Sequence, residues 1–130
     1  MRPEEYSPLN LAYLGDAVFE LMVRETLVTD NLESVRSLFR KSKSYVRASA
    51  QSQSYFRVFD RLSQEEQRIA RRGRNCKPGS RAKNASMAEY QHATGLEALF
   101  GYLYLSGKTE RLQEIFALCV PDEENSNEKQ

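Results

Sequence analysis

Two acidic residues stand in apolar segments that are otherwise typical of a protein core. Asp16 lies in LAYLGDAVFE, residues 11–20, and Glu97 lies in GLEALFGYLYL, residues 95–105. On a helix, Ala12 would lie one turn before Asp16, and Ala93 and Thr94 would lie one turn before Glu97. These small neighbours leave space beside each carboxylate, and a buried carboxylate requires a partner because burying an unpaired charge is costly.

Three kinds of partner would satisfy such carboxylates, and the residue types alone leave the choice open. An arginine, or the end of a neighbouring element, is the usual partner of a buried carboxylate. Protonation would remove the charge altogether. The third partner is a hard divalent cation such as Mg²⁺, which prefers oxygen ligands and keeps several waters where the protein supplies few carboxylates.

Glu20 and His92 are the nearest further candidates for such a site. Glu20 follows Asp16 by one helical turn, so it can approach a metal-bound water or form a salt bridge, and we favour the salt bridge. His92 is the only histidine of the chain and lies five residues before Glu97. Without a second histidine or a cysteine nearby in the sequence, it is interpreted as a structural residue or a phosphate contact.

The basic residues are segregated along the chain, although the formal net charge is only +1. Residues 34–59 contain six lysines and arginines and no acid, and residues 67–88 contain seven and no acid. The first window includes Lys41 and Arg47. Two acid-free basic windows predict a positively charged surface suited to a polyanion such as the phosphate backbone of a nucleic acid.

Length and composition limit the possible classes of protein. A chain of 130 residues with 40% hydrophobic and 28% charged residues fits one domain of an ordinary soluble protein. It has neither a long uncharged apolar run nor a signal-peptide pattern, so we expect a cytoplasmic protein. Cys76 and Cys119 lack both the CxxC spacing and the density of a disulfide framework, which predicts reduced thiols.

The elements that position the two carboxylates are predicted to be helices. Ser7 and Pro8 begin a first helix, and its apolar residues occur on all sides, as in a central helix that is buried on most sides. Ser63 and Glu66 form a capping-box pattern. With no strand alternation, the fold class is all-α, with helices at about 8–28, from Asp30 or Asn31 through Phe39, 45–59, 63–73, 86–106 and 109–120.

Residues 71–84, RRGRNCKPGSRAKN, form the one long loop predicted between helices. Every charge in it is positive, and such a loop repels itself unless an anionic partner is present. The predicted domain covers residues 1–120, and residues 121–130 form a polar tail that we expect to be disordered.

LGDAVFE, followed some eighty residues later by ATGLEALFGYLYL, resembles the two halves of the ribonuclease III catalytic domain. The order and spacing, together with RRGRN, are similar to the short relatives called Mini-ribonuclease III, which lack an appended double-stranded-RNA-binding domain. The resemblance covers roughly residues 7–120. It implies the helical ribonuclease III fold and a metal-dependent endonuclease that cleaves double-stranded or structured RNA.

Carried over by motif position, the resemblance implies that Asp16 and Glu97 are the catalytic and metal-binding residues, with Mg²⁺ as the cofactor and Mn²⁺ as a possible substitute. Ordinary ribonuclease III domains carry two further acids, at the positions of Ala12 and Thr94. Those departures fit the Mini subfamily and leave fewer protein ligands per site. The implied reaction is attack of a metal-activated water on a backbone phosphorus, which leaves 5′-phosphate and 3′-hydroxyl ends.

The resemblance also implies a homodimer, because one domain supplies one cleavage centre whereas a duplex has two strands. The substrate typical of the Mini subfamily is the duplex formed by the ends of precursor large-subunit ribosomal RNA, and neither a membrane nor a small-molecule substrate is implied. A-form RNA is recognised largely through phosphates and 2′-hydroxyls. The predicted RNA contacts are Arg71, Arg72, Arg74, Asn75, Lys77, Arg81, Lys83, Lys41 and Arg47.

Two functions of other classes compete with catalysis. A non-catalytic RNA-binding module could retain the same fold, and the missing acids at Ala12 and Thr94 keep that alternative open. A helical adaptor could instead use the basic loop to bind an acidic protein. An adaptor, however, has no need to place Asp16 and Glu97 beside small residues in two separate helices.

Overall fold

The computed structural model describes residues 1–30, 34–76 and 86–119, which form six α-helices and no β-strand. A short 3-10 helix, Pro3–Glu5, precedes them. The all-α prediction is confirmed. The helices are α1 Pro8–Asp30, α2 Val35–Val46, α3 Ala48–Phe59, α4 Gln64–Arg74, α5 Met87–Leu105 and α6 Thr109–Cys119.

Local capping explains where most of these helices begin. The Ser7 hydroxyl accepts the Asn10 N–H at 3.1 Å at the start of α1. At α4, the Ser63 hydroxyl accepts the Glu66 N–H at 3.2 Å, and the Glu66 carboxylate accepts the Ser63 N–H at 2.9 Å. The predicted capping box is therefore present, and it satisfies two backbone donors that the helix itself leaves unpaired.

Two predicted helix starts are wrong. Asp30 is the last residue of α1 rather than a cap of α2; the Ser34 side chain caps α2, and residues 31–33 lie outside the described part of the chain. The third helix begins at Ala48 rather than Tyr45, because Arg47 adopts an extended conformation, with φ −65° and ψ 154°, that separates α2 from α3. The apolar spacing continues across this break, so periodicity alone did not reveal it.

Helix α5 is the centre of the domain and packs against α1, α3 and α4. Ten of its residues are buried, and Leu96, Leu99 and Phe100 are fully enclosed. The rings of Phe19 and Phe100 meet edge to face, with centroids 5.1 Å apart, and Phe116 of α6 contacts both. This aromatic cluster ties α1 and α6 to the central helix.

Helix α1 is less enclosed than its composition predicted. It buries one face, formed by residues such as Leu11, Phe19 and Val23, but Tyr13 is 85% exposed and Leu21 is 66% exposed. The prediction that α1 is buried on most sides is wrong for the single chain. An apolar face of a helix that no described element covers is available for a partner.

A close crossing of α1 and α5 fixes the backbone on which both acidic residues stand. A Cβ atom added at Gly15 would overlap the backbone carbonyl of Glu97, and one added at Gly101 would overlap that of Leu11. Only glycine permits backbones to approach this closely. Gly15 therefore places the turn that bears Asp16 directly against the turn that bears Glu97.

No helix in residues 1–30, 34–76 and 86–119 is long and apolar enough to cross a lipid bilayer.

Cys76 and Cys119 are free thiols, as predicted. Burial raises the pKa of the Cys119 thiol to about 12, so this thiol remains protonated and unreactive near neutral pH. The predicted tail at residues 121–130 lies outside the described residues.

Candidate active site

Asp16 and Glu97 meet in one cleft of about 390 Å³, where α1, α3 and α5 come together. Asp16 is exposed at its edge, and the Glu97 side chain is partly buried. The expectation of two buried carboxylates is thus wrong for Asp16. The cleft is lined by Asp16, Val46, Arg47, Ala48, Gln51, Tyr90, Ala93, Thr94 and Glu97.

The two carboxylates are close enough for one to change the ionisation of the other. Burial, and after it the negative charge of Asp16, raises the pKa of Glu97 to about 8. Gln51 opposes both effects and lowers that pKa. Near neutral pH the Glu97 carboxyl group is therefore largely protonated until a cation arrives.

The alternative of an arginine partner is not what the described residues show. None of the ion pairs formed within residues 1–30, 34–76 and 86–119 includes Asp16 or Glu97. Within the same ranges, no third histidine, cysteine, aspartate or glutamate joins them to make a larger ligand cluster. Within these ranges neither acid is paired with a protein cation, and both line an open cleft that Arg47 borders.

This donor set fits a hard divalent cation. Two carboxylates from different helices supply oxygen ligands, and the volume of the cleft leaves space for water on the remaining coordination positions. Ala93 and Thr94 border the cleft without adding charge, and the Thr94 hydroxyl donates to the Tyr90 carbonyl at 3.0 Å. A cation there would also offset the repulsion that raises the pKa of Glu97.

Gln51 is the residue of the cleft that the sequence interpretation missed. It is only 2% exposed, and its side-chain nitrogen has no hydrogen-bond partner among the described residues. The helical spacing indicates that Gln51 faces the core, because it lies four residues before Tyr55 and seven before Val58, both buried. A polar residue in a core-facing position of an amphipathic helix requires an explanation.

Glu20 forms the salt bridge that we favoured, and His92 takes the structural role, one of the two that we left open. Arg24 donates to the Glu20 carboxylate at 2.6 Å, one turn along α1, which confirms the salt bridge. His92 shares a hydrogen bond of 2.7 Å with the Ala88 carbonyl, and its ring packs against Tyr55 and Phe56 at centroid distances of 5.0 and 4.5 Å. His92 therefore forms part of the packing between α5 and α3.

Arg47 is the one predicted RNA contact that lines the acidic cleft. It is exposed at the start of α3, and its Nε–H donates to the Lys43 carbonyl at 3.4 Å. Its guanidinium thus brings positive charge to the edge of a cleft that otherwise carries two acids. That combination suits a phosphate group bridged to a cation.

The other predicted RNA contacts form a second group at the end of α4. Arg71 lies 5.7 Å from the Phe59 ring centroid, Arg72 donates to the Glu4 carbonyl at 3.0 Å, and Arg74 donates to the Asn75 side chain at 3.1 Å. Gly73 packs against α5 beside Thr94 and Ala98, so this basic end lies close to the turn that bears Glu97. Lys41 is exposed on α2, whereas Lys77, Arg81 and Lys83 lie outside the described residues.

The fold and the paired carboxylates define the class of protein. The sequence profile of the family described as "Ribonuclease III domain" matches residues 9–108. A crystal structure of a protein from Fusobacterium nucleatum is similar, with a TM-score of 0.79 and 34% identity, covering 88% of this chain and 91% of that one. The protein is a ribonuclease III domain endoribonuclease, that is, a phosphodiester hydrolase.

Similar sequences identify the subfamily of ribonuclease III domain proteins to which the chain belongs. Mini-ribonuclease 3 of a Thermoanaerobacter species is 46% identical over 88% of this chain and 80% of its own length. Mini-ribonuclease 3 of Clostridium tetani is 40% identical over 98% and 85%, and that of Enterococcus faecalis is 38% identical over 96% and 98%. The chain belongs to the Mini-ribonuclease 3 family, which confirms the resemblance found in the motifs.

Proposed function

We propose that the protein is a divalent-metal-dependent endoribonuclease that cleaves double-stranded RNA, with Asp16 and Glu97 as the catalytic and metal-binding residues. The observation that supports this most directly is the meeting of the two carboxylates in one cleft without a described protein cation between them. The family membership supplies the reaction class. Mg²⁺ is the expected cofactor, with Mn²⁺ as a substitute, because the ligands are carboxylate oxygens.

Asp16 of α1 and Glu97 of α5 would hold the cation together. The close crossing of these two helices at Gly15 fixes how far apart the two carboxylates lie. When bound there, a divalent cation would supply Lewis acidity, the property that makes a water nucleophilic toward a backbone phosphorus and offsets the charge of the departing oxygen. Glu97 must release its proton to serve as a ligand. Because its pKa is raised, metal binding should strengthen as the pH rises from neutral to mildly alkaline values. The products expected are 5′-phosphate and 3′-hydroxyl ends.

Arg47 and the basic end of α4 would hold the duplex. Arg47 lines the cleft and would bind the phosphate that is cut, and Arg71, Arg72, Arg74 and Asn75 would contact backbone further along. Phosphate contacts of this type fix the position of a duplex and carry little sequence information. Lys41, Lys77, Arg81 and Lys83 remain predicted contacts from the sequence.

A homodimer would give each strand of the duplex its own centre. The uncovered face of α1 continues onto the end of α5, where Tyr104 and Leu105 are exposed as well. Leu14, Ala17, Leu21 and Met22 of α1 and Tyr104 of α5 border one shallow apolar depression. A two-fold interface joins the same patch of both subunits, and an uncovered apolar face supports such pairing.

The test of catalysis is cleavage of a long double-stranded RNA with Mg²⁺, resolved on a denaturing gel, for the wild type, Asp16→Asn and an EDTA control. Glu20→Gln is the matched variant, because it removes a carboxylate one turn away that already pairs with Arg24. We expect cleavage by the wild type and Glu20→Gln only. Intact RNA that is shifted on a native gel by the wild type would instead indicate a non-catalytic binding module.

The test of assembly is the mass in solution measured by light scattering. Leu21→Glu places a charge on the uncovered face of α1, and Val35→Glu places one on α2, where Val35 is 80% exposed. We expect a dimer for the wild type and Val35→Glu and a monomer for Leu21→Glu. A monomeric wild type at micromolar concentration would contradict the proposed dimer.

The natural substrate proposed is the duplex formed by the ends of precursor large-subunit ribosomal RNA, processed in the cytoplasm. This rests on the family resemblance. A transcript that carries that duplex, compared with an unrelated duplex of equal length, provides the test. Cuts at fixed positions in the first and scattered cuts in the second would support it, and equal scattered cutting of both would contradict it.

A further inference from the structure

Gln51 is a buried amide beside the paired acids, and the packing of α3 does not account for it. It lines the same cleft as Asp16 and Glu97, yet its side chain is 2% exposed. Its side-chain nitrogen is out of reach of solvent and has no hydrogen-bond partner in the described part of the chain. The amide is therefore desolvated at the base of the site.

An unpaired buried amide is costly to keep. Leaving a buried donor unsatisfied destabilises a protein, whereas methionine would fill about the same volume with no polar atom to desolvate. Buried polar side chains in native structures nearly always have a partner. Gln51 thus indicates that a group it can bond to enters or reorients in this cleft when the site is in use.

The partly buried acceptor that lines the same cleft as Gln51 is the Glu97 carboxylate. Gln51 and Glu97 line the same cleft, and a carboxylate oxygen accepts a hydrogen bond from an amide N–H. When Glu97 is ionised to bind a cation, an N–H···O bond from the Gln51 amide to one of its oxygens would satisfy the buried donor. That bond would leave the other carboxylate oxygen directed toward Asp16.

We propose that Gln51 is a positioning residue, whose side-chain amide holds the Glu97 carboxylate facing Asp16 so that both acids can bind one divalent cation. The inference rests on the proposed metal site at Asp16 and Glu97. Each of the three helices that form the cleft then has a defined role, because α1 and α5 supply ligands and α3 orients one of them. Groups that orient metal ligands in this way commonly change metal affinity 10–100-fold when they are removed.

The experiment measures Mn²⁺ affinity by the electron paramagnetic resonance signal of free Mn²⁺, on the full chain at pH 8.5. Gln51→Met removes the amide and conserves the volume, and Gln51→Leu does so with another shape. The matched control is Gln53→Met, which makes the same substitution at an exposed position of α3. Asp16→Asn removes a proposed ligand, and urea unfolding of each variant in EDTA reports the stability of the fold.

We expect both Gln51 variants to bind Mn²⁺ about 10-fold more weakly than the wild type, with Gln53→Met unchanged. In EDTA we expect Gln51→Met to be at least as stable as the wild type, because an unpaired amide has been removed. A structural role would give the opposite pattern: loss of stability in EDTA with unchanged Mn²⁺ affinity.

The possible failures are distinguishable. If the wild type binds Mn²⁺, Asp16→Asn does not and Gln51→Met binds like the wild type, the positioning role is overturned and the metal site stands. If the wild type and Asp16→Asn bind Mn²⁺ alike, the metal site itself is overturned, and the inference with it. If neither Gln51 variant folds, Gln51 is a structural residue of α3 and the inference is overturned.

Discussion

Replacing Glu97 by glutamine should stabilise the metal-free protein at alkaline pH. In the folded chain, burial and the Asp16 charge raise the pKa of Glu97 to about 8, whereas the ordinary value is 4.5. Between these two values the folded protein holds a proton that the unfolded chain has lost. The free energy of unfolding of the wild type therefore falls as the pH rises through this window.

The magnitude follows from the two pKa values. A change of one pKa unit corresponds to 1.36 kcal/mol, so the full difference for Glu97 corresponds to about 5 kcal/mol. The Glu97 side chain is only partly buried and Asp16 is exposed, so solvent screening and relaxation reduce the effect to about 2 kcal/mol. Glu97→Gln, which cannot ionise, should gain this amount over the wild type at pH 8.5 and little at pH 5.

The assay is urea unfolding in EDTA between pH 5 and 8.5, for the wild type, Glu97→Gln and Glu20→Gln. Asp16→Asn should remove only part of the pH dependence, because burial, the larger cause of the raised pKa, remains. Excess Mg²⁺ at pH 8.5 should restore stability to the wild type and not to Glu97→Gln. Parallel curves for the wild type and Glu97→Gln across the whole pH range would refute this reasoning.

Three further perturbations test the fold and the proposed duplex surface. Gly15→Ala should lower the free energy of unfolding in urea by about 3 kcal/mol, because the added Cβ would overlap the Glu97 backbone. Gly107→Ala is the control: Gly107 has φ 69° and no atom near the added Cβ, so the loss should be only about 1 kcal/mol. Equal losses for the two variants would contradict the close crossing. Arg111→Met should cost about 2 kcal/mol at pH 7, because it removes the guanidinium that donates to both oxygens of the buried Glu66 carboxylate. Burial alone would raise the pKa of Glu66, but the hydrogen bonds from Arg111 hold it below its usual value, so the cost of Arg111→Met should shrink at acidic pH as Glu66 becomes protonated. Arg47→Ala, made in the Asp16→Asn background, should weaken binding of a double-stranded RNA. It should also reduce the steepness of the plot of log affinity against log salt concentration by about 1. An unchanged slope would show that Arg47 does not contact a phosphate.

The sequence was sufficient for the fold class and for most of the helices. Capping residues such as Ser63 act through bonds to backbone three residues away, so the start of α4 could be predicted locally. The break at Arg47 could not, because the apolar spacing on its two sides is compatible with one continuous helix. The salt bridge of Glu20 was predictable for the same reason as the caps, since Arg24 is one turn away.

The sequence also singled out Asp16 and Glu97, because charged residues in apolar segments are conspicuous wherever the chain folds. Only the tertiary structure decided that they face each other, and it did so through the crossing of α1 and α5 at Gly15 and Gly101. Gln51 also lines the site because of helix packing. It lies on α3, which is close to both acids in space and distant from both in the sequence. Caps and salt bridges within one helix depend on contacts a few residues apart, whereas a cleft between helices depends on how closely their backbones approach, and that is settled by packing.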